Sequence, residues 1–398
     1  MINLAARDIG HQFGRYLLTG LGLGLLIGVT LTMAGVFRGM VDDGMVLISS
    51  TGADLWVVQQ NTLGPYAEPS TLHDDMYRAI AGLPGVAEAT NVTYLTMQVR
   101  RGRNDVRVMI AGIVPGQLGA PNHLIAGRPI TRSHYEVVAD IKSGFKLGET
   151  IRIRRNNYTV VGMTRRMVSS GGDPMVFIPL KDAQEAQFLK DNDAIANDRD
   201  RLAANPQLNR PGVPGLLDAV EASQFSNHNV NAVLVRVKAG WDARQVADNI
   251  KRWKRLQAYT KDEMVDILIS KTIATATKQI GMFLVILAAV SAAIVALIIY
   301  TMTMGKIKEI AVLKLVGTPN RTISGMILQE ALGLGVIGFV AGKVAATLWG
   351  PAFPKYVLLE NADAGRAFVL TMVICLLASL LGIRAALRVD PASAIGGG

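Results

Sequence analysis

The dominant pattern in this chain is the uneven distribution of four long apolar runs. One run lies near the N-terminus and three lie in the C-terminal third, and each carries few charges. A helix rises about 1.5 Å per residue, so roughly 20 apolar residues cross the hydrocarbon core of a bilayer. The runs therefore predict four membrane-spanning helices, at residues 16–38, 280–304, 319–348 and 367–387.

The long segment between the first and second runs alternates strand and helix signals. Residues 39–262 predict a single α+β domain, with residues 181–230 as a candidate inserted subdomain because the stretch 205–215 is rich in Pro, Gly and Asn. Residues 263–279 are helical in character and reach the second run without a breaker, which predicts a stalk helix. The predicted fold is an α-helical membrane protein with four transmembrane helices plus a large α+β extracytoplasmic domain between helices 1 and 2.

Two β-hairpins are predicted inside this domain. Each consists of two β-rich runs that flank a polar turn. The first turn lies within Arg101–Asp105, and the second is a two-residue turn at Asn156–Asn157.

The charges indicate an orientation. The chain of 398 residues has a formal net charge of +10 and a mean hydropathy of +0.30. Cations mark the cytoplasmic side of membrane helices, and here they cluster at three places, namely before the first run, between the second and third runs, and after the fourth. This pattern predicts cytoplasmic segments at 1–15, 305–318 and 388–398 and an outer loop at 349–366, with both termini inside. It accounts for the basic charge without nucleic acid as a partner.

No catalytic constellation is recognisable. The five histidines are scattered without metal-ligand spacing, although a haem or metal role for His73, His123 or His134 stays an open alternative. The single cysteine, Cys375, cannot form an intrachain disulfide. We therefore expect no catalytic residue, no metal and no cofactor bound by this chain.

Glycines recur at helical spacing in two of the runs. Gly20, Gly24 and Gly28 share one face of the first run, and Gly338 and Gly342 share one face of the third. Such spacing allows close approach of another helix, within one subunit or across a dimer. The alternative is that glycine is simply common in membrane helices.

Two polar residues, Gln329 and Glu330, interrupt the third run near its cytoplasmic end. A carboxylate inside the membrane is a functional candidate by default. The interpretation favoured here is structural, with Glu330 hydrogen-bonded near the inner interface to fix helix packing.

The segment between the second and third runs predicts a short amphipathic helix on the inner membrane surface. Apolar residues form a helical stripe and charged residues supply the polar positions. Gly317 is predicted to end this helix, with Thr318 capping the next one and Pro319 in its first turn. The stripe consists of Ile307, Ile310, Ala311 and Leu313, and the polar positions are Lys306, Lys308, Glu309 and Lys314.

These features resemble a known family. The layout, and the motifs at Gly52–Val57, Tyr158–Met163, Val176–Leu180, Lys306–Pro319 and Val389–Gly397, are similar to permeases of the MacB/FtsX/LolC group, the type VII or mechanotransmission ABC transporters, and to DevC-like permeases in particular. The resemblance implies that the short helix couples to a cytoplasmic ABC ATPase dimer, with Lys306, Ile307, Lys308, Glu309, Ile310, Ala311, Leu313 and Lys314 as the coupling residues.

The resemblance also implies a bacterial inner membrane location and the remaining partners. No G-x-x-x-x-G-K-[ST] motif is present, so the ATPase is expected to be a separate chain that binds ATP and Mg²⁺, and this chain is expected not to be an enzyme by itself. A second permease copy or a paralogue would pair with it among the membrane lipids. A periplasmic adaptor and an outer-membrane channel are further candidates.

Three functions are compatible with these expectations. The first is export or extraction of a substrate from the outer side of the inner membrane, driven by movement of the periplasmic domain. The second is an FtsX-like transmembrane relay that controls an extracytoplasmic partner such as a cell-wall hydrolase. A membrane-anchored sensor without an ATPase is less favoured, because the coupling segment would then lack a purpose. The cargo is not predicted.

Overall fold

The structure is a computed structural model that describes residues 13–121, 123–187, 197, 200–206, 228–253, 255–353 and 355–388. The chain divides into a membrane unit, residues 1–40 with 275–398, and an outer unit, residues 41–274. Within the described residues the helices are α1 (Phe13–Ser50), α2 (Met76–Ala81), α3 (Leu180–Gln187), α4 (Ala243–Lys251), α5 (Lys261–Ile267), α6 (Ala274–Gly305), α7 (Ile307–Leu315), α8 (Asn320–Trp349) and α9 (Asn361–Leu387).

Four helices in the described part of the chain are long and apolar enough to cross a membrane. Their spans are Tyr16–Ser50, Lys278–Gly305, Asn320–Ala352 and Asn361–Leu387. Many of their apolar side chains face outward, as expected where lipid replaces water around a helix bundle. The fold class predicted from the hydropathy pattern is confirmed.

The first spanning helix differs from its predicted bounds. It continues to Ser50, twelve residues beyond the predicted end at residue 38. Arg38, Asp42 and Asp43 end the apolar run, but charges end a membrane span without ending a helix. The helix is therefore longer than the predicted segment, because the end of the apolar run does not end the helix.

The strands of the outer unit are β1 (Leu55–Gln59), β2 (Leu72–His73), β3 (Val86–Arg101), β4 (Asn104–Ile113), β5 (Leu124–Gly127), β6 (Glu136–Asp140), β7 (Thr150–Ile153), β8 (Asn156–Thr164), β9 (Met175–Pro179), β10 (Asn229–Val230), β11 (Ala232–Val237) and β12 (Leu256–Thr260). The main sheet has the order β12-β1-β11-β3-β4-β9-β6-β8-β5, with β7 paired to β8. The pairs β4–β9 and β6–β8 are parallel, and β2 pairs with β10 in a separate two-stranded sheet.

The long strand β3 joins two parts of this sheet. Its first half pairs with β11 and its second half pairs with β4. One core, around Leu55, Ile80 and Val246, lies where α2 and α4 cover the β1–β11 side. A second core, around Ile110 and Tyr158, lies on the β4–β9–β6–β8 side. The strands supply these cores because alternate residues of a strand point to one face.

The second hairpin turns earlier than predicted. Ile153 pairs with Asn156, so the turn residues are Arg154 and Arg155 instead of the two asparagines. Arg154 adopts a left-handed φ of 55° there. The asparagines begin β8, whose own register with β7 overrides their turn preference.

The helical segment before the second span is interrupted once. Thr260 and Glu263 form a capping box at the start of α5. A π-helical turn, Leu268–Ile273, separates α5 from α6, and no sequence signal had indicated it. Most of the candidate subdomain at 181–230 lies outside the described residues.

Candidate functional site

The connection between α6 and α8 contains a short helix, α7, that follows one spanning helix directly and ends in a tight turn before the next. The helix α7 begins at Ile307, directly after α6 ends at Gly305. It closes with a Schellman motif, in which the Gly317 N–H donates to the Lys314 carbonyl at 3.1 Å and the Thr318 N–H donates to the Leu313 carbonyl at 3.0 Å. Gly317 has a φ of 88°, a conformation that favours glycine.

The start of α8 differs from the prediction by one residue. Pro319, not Thr318, is the N-cap, and α8 begins at Asn320. The Thr318 N–H belongs to the Schellman motif at the end of α7, and the Pro319 carbonyl accepts the first hydrogen bonds of α8, from the N–H groups of Thr322 at 2.9 Å and Ile323 at 3.5 Å. The segment from Lys306 to Pro319 is thus a defined helix–turn unit between two spanning helices.

The apolar residues of α7 and its C-cap lie on two faces. Ile310 and Ala311 are fully buried in the helix bundle. Val312, Leu315 and the C-cap Val316 are 51%, 63% and 79% exposed. The predicted stripe of Ile307, Ile310, Ala311 and Leu313 includes the two buried residues, whereas the outward apolar face was not predicted.

Two charged residues of α7 lie on its exposed side. Lys308 and Glu309 are exposed, so they lie beside the outward apolar face. We define the docking face as Lys308, Glu309, Val312, Leu315 and Val316. It combines apolar area with flanking charges of both signs, a composition found at protein interfaces.

Lys306 does not occupy the exposed polar position that its spacing predicted. Its side chain is buried, and Nζ lies 3.0 Å from Glu330 Oε1 on α8 and 3.0 Å from the Tyr16 hydroxyl on α1. The ammonium also lies 5.4 Å from the centre of the Tyr16 ring. The prediction failed because Lys306 precedes the first turn of α7 and so does not follow that helix's periodicity.

The two intramembrane polar residues have different environments. Glu330 is buried and paired with Lys306, whereas Gln329, the residue before it on α8, is exposed. A buried charge requires a partner and hydrogen bonds in a medium of low dielectric constant. The Glu330 carboxylate therefore has a partner that inspection of the spanning helices alone did not find.

Lys314 connects the other end of α7 to the bundle. Its Nζ donates to the carbonyl oxygens of Ala386 at 3.1 Å and Leu387 at 2.9 Å. These are carbonyls of the last turn of α9, which have no partner within that helix and lie at its partially negative end. A lysine near each end of α7 is therefore bonded to other helices of the membrane unit.

The predicted glycine faces of α1 and α8 meet each other. A Cβ placed on Gly24 would lie 2.7 Å from the Ala341 Cβ and 3.1 Å from the Gly342 nitrogen. A Cβ on Gly342 would lie 2.6 Å from the Gly24 carbonyl oxygen. Gly20, Gly28 and Gly338 also face the opposite helix at short distance. The glycines thus permit backbone contact between these two helices within the chain.

A cluster at the opposite end of the bundle was missed by the sequence patterns. Arg38 on α1 contacts both Glu360 and Asp363 at the start of α9. The Trp349 indole donates to Thr32 at 2.7 Å nearby. The balanced charges of the loop between the third and fourth runs were the available signal, but their partner on the first helix is distant in sequence.

The outer unit contains a polar cleft of about 500 Å³ lined by residues that include His73, Asp74, Lys181 and His228. Burial raises the pKa of Asp74, but hydrogen bonds from Lys181 and Gln184 outweigh burial and leave this pKa below its usual value. Among the described residues, no group of three or more His, Cys, Asp and Glu side chains is placed to hold a metal ion. The cleft mixes both signs of charge, so it indicates no particular ligand class.

Comparison with known proteins agrees with this architecture. The MacB-like periplasmic core domain family matches residues 16–253, and the FtsX-like permease C-terminal family matches residues 281–391. The chain belongs to the MacB/FtsX-type permeases. As an ABC transporter permease of this type, it is a membrane component with an extracytoplasmic domain.

Relatives of this permease cover its whole length. It is 24% identical over 397 residues to one uncharacterized ABC transporter permease of Mycobacterium tuberculosis strain H37Rv and 22% identical over 397 residues to a second, with 100% of each chain covered. The crystal structure of the periplasmic region of MacB from Actinobacillus actinomycetemcomitans matches at 13% identity with a TM-score of 0.33, over 56% of this chain and 94% of that chain.

Proposed function

We propose that this permease couples ATP hydrolysis by a separate cytoplasmic ABC ATPase to movement of its outer domain, and so drives export or extraction of a substrate from the outer side of the bacterial inner membrane. The ATPase binds ATP and Mg²⁺, whereas this chain binds no cofactor. A second copy or a paralogue completes the membrane complex, and an adaptor with an outer-membrane channel is a candidate further partner.

The observation that carries this proposal is the docking face of α7. Three apolar side chains are exposed on and just after a short helix that two spans hold at the membrane surface. Exposed apolar clusters of this kind mark interaction sites. The relatives are named as ABC transporter permeases, which work with ATPases, and an ATPase is therefore the expected occupant.

Charge supports a cytoplasmic position for this face. Lys306, Lys308, Lys314 and Arg321 lie at this end of the bundle, together with Arg384 and Arg388 at the end of α9. The other end has fewer cations, Arg38, Lys355 and Arg366, and they lie beside Glu360 and Asp363. By the positive-inside rule, the α7 end is cytoplasmic and both termini lie inside.

The test is co-purification in mild detergent from the native host. Leu315→Asp places a charge in the centre of the docking face and should reduce the co-eluting ATPase at least about tenfold, the loss expected when about 1.4 kcal/mol of binding energy is removed. The matched control is Leu147→Asp, since Leu147 is a leucine of the outer unit that is 51% exposed.

The control variant should retain the wild-type amount of ATPase. Equal recovery of ATPase with Leu315→Asp and wild type would contradict the assignment of the docking face. If Leu315→Asp instead lowers the amount of permease in the membrane while the ratio of ATPase to permease is unchanged, the face contacts lipid and the proposal is wrong.

A further inference from the structure

We infer that Lys306 and Lys314 form a two-point clamp that transmits motion of α7 to the spanning helices, so that they are positioning residues for coupling and take no part in ATPase binding. This inference rests on the proposed function. It concerns what happens after an ATPase has docked, and the docking face itself does not include either lysine.

The clamp contacts three of the spanning helices that the structure describes, and the fourth is joined to α7 by the chain itself. Lys306 contacts α1 through Tyr16 and α8 through Glu330. Lys314 contacts the terminal carbonyls of α9. The helix α6 adjoins α7 directly in the chain, with Gly305 and Lys306 as the connection. A displacement of α7 therefore acts on all four spans at once.

Both lysines are held by specific hydrogen bonds to other helices. The Lys306 ammonium is buried between Tyr16 and Glu330, where ionic hydrogen bonds are strong and water does not compete. Lys314 binds two carbonyls of one helix end, where a cation complements the helix dipole. Side chains that only supplied surface charge would not be bonded in this way at both ends of a helix of nine residues.

A purely structural role for the buried pair is the competing explanation. Removing Lys306 alone leaves the Glu330 carboxylate buried without its ammonium, which should destabilise the protein. Removing both charges leaves two neutral side chains of similar size, and such replacements of buried pairs are often tolerated. The double variant Lys306→Met/Glu330→Gln should therefore unfold at a higher temperature than Lys306→Met alone.

The decisive variant is this stable double variant, compared with wild type and with Lys343→Met. Lys343 is exposed on α8, so Lys343→Met repeats the lysine substitution outside the clamp. It removes one positive charge, whereas the double variant leaves the net charge unchanged. The complete complex, captured with its ATPase in mild detergent, is examined by hydrogen–deuterium exchange in residues 41–274, with and without ATP plus vanadate. ATP hydrolysis is measured on the same samples.

Wild type and Lys343→Met should show an ATP-dependent change of exchange in the outer unit. The double variant should retain the ATPase and its hydrolysis but lose this change. Lys314→Gln provides a second, independent test because it replaces the ammonium at the other contact with a shorter, neutral amide and leaves no buried charge. This variant should also lose the change or reduce it.

The outcomes separate the two proposals. If the wild-type chain captures no ATPase, the proposed function fails and the clamp fails with it. If the double variant and Lys314→Gln respond to ATP as wild type does, the clamp is wrong while the docking face stands. Loss of the ATPase itself from the double variant would assign Lys306 to docking and would also overturn the clamp.

Discussion

Glu136 illustrates how single residues stabilise the outer unit. Its carboxylate is buried and accepts hydrogen bonds from Arg128 and from the backbone N–H groups of Thr131 and Arg132. The bond from Arg128 is the main cause that lowers the pKa of Glu136 from 4.5 to about 2, although burial opposes it. The ionised form is therefore the form that the folded state prefers.

This pKa predicts a pH-dependent stability. Because the folded pKa lies below the unfolded value, the contribution of Glu136 is complete above pH 4.5 and is lost as the pH falls towards 2. Glu136→Gln should lower the free energy of unfolding by about 1–3 kcal/mol at neutral pH, since each unit of pKa shift corresponds to about 1.4 kcal/mol and Arg128 is partly exposed. Thermal unfolding of the detergent-solubilised chain measures the difference.

The difference between wild type and Glu136→Gln should shrink below pH 4.5. Glu185→Gln, at an exposed glutamate of α3, serves as the control and should have a smaller effect at neutral pH. A Glu136→Gln effect that is independent of pH from neutrality down to pH 3 would show that the carboxylate charge does not contribute, and the lost packing or hydrogen bonds would then be the cause.

At the scale of elements, the contact between α1 and α8 depends on glycines, which have no side chain to separate the two backbones. Gly24 and Gly342 bring the two backbones within van der Waals distance, so any side chain there must displace the other helix. Gly22 lies on the same helix, but a Cβ placed there meets no atom within 4 Å. Gly24 and Gly22 are therefore a matched pair of glycines on one helix, of which only Gly24 contacts α8.

The pair gives a direct prediction. Gly24→Leu should destabilise the detergent-solubilised chain by about 1–3 kcal/mol, the usual range for overpacking, while Gly22→Leu should leave stability nearly unchanged. Thermal unfolding of both variants is the measurement. Equal unfolding temperatures for the two variants would mean that the glycine contact does not hold α1 against α8.

Sequence patterns predict the helices of the membrane unit but not the contacts between them. Apolar length located the four spans and periodicity located α7, because both signals are local. The partners of Lys306 are separated from it by 24 and 290 positions along the chain, and no periodicity reports such a distance. The buried pair and the parallel pairing of β4 with β9 are therefore properties of the tertiary structure that hydropathy does not encode.

At the scale of the whole molecule, the chain consists of two units with different proposed roles. The outer unit contains the sheet and its two cores, and the membrane unit contains the spanning helices with α7 between two of them. The family assignment supports both units, since separate family matches cover residues 16–253 and 281–391. The proposed mechanism requires that α7 lie on the cytoplasmic side, where an ATPase can reach it.

Site-directed labelling in sealed spheroplasts tests this requirement most directly. The background is Cys375→Ala, which removes the single cysteine, and reporter cysteines are introduced by Val316→Cys in the docking face and by Arg103→Cys in the exposed β3–β4 turn. A membrane-impermeant maleimide should label the Arg103→Cys variant in intact spheroplasts and the Val316→Cys variant only after permeabilisation. Labelling of Val316→Cys in intact spheroplasts would place α7 outside the cell and contradict the account.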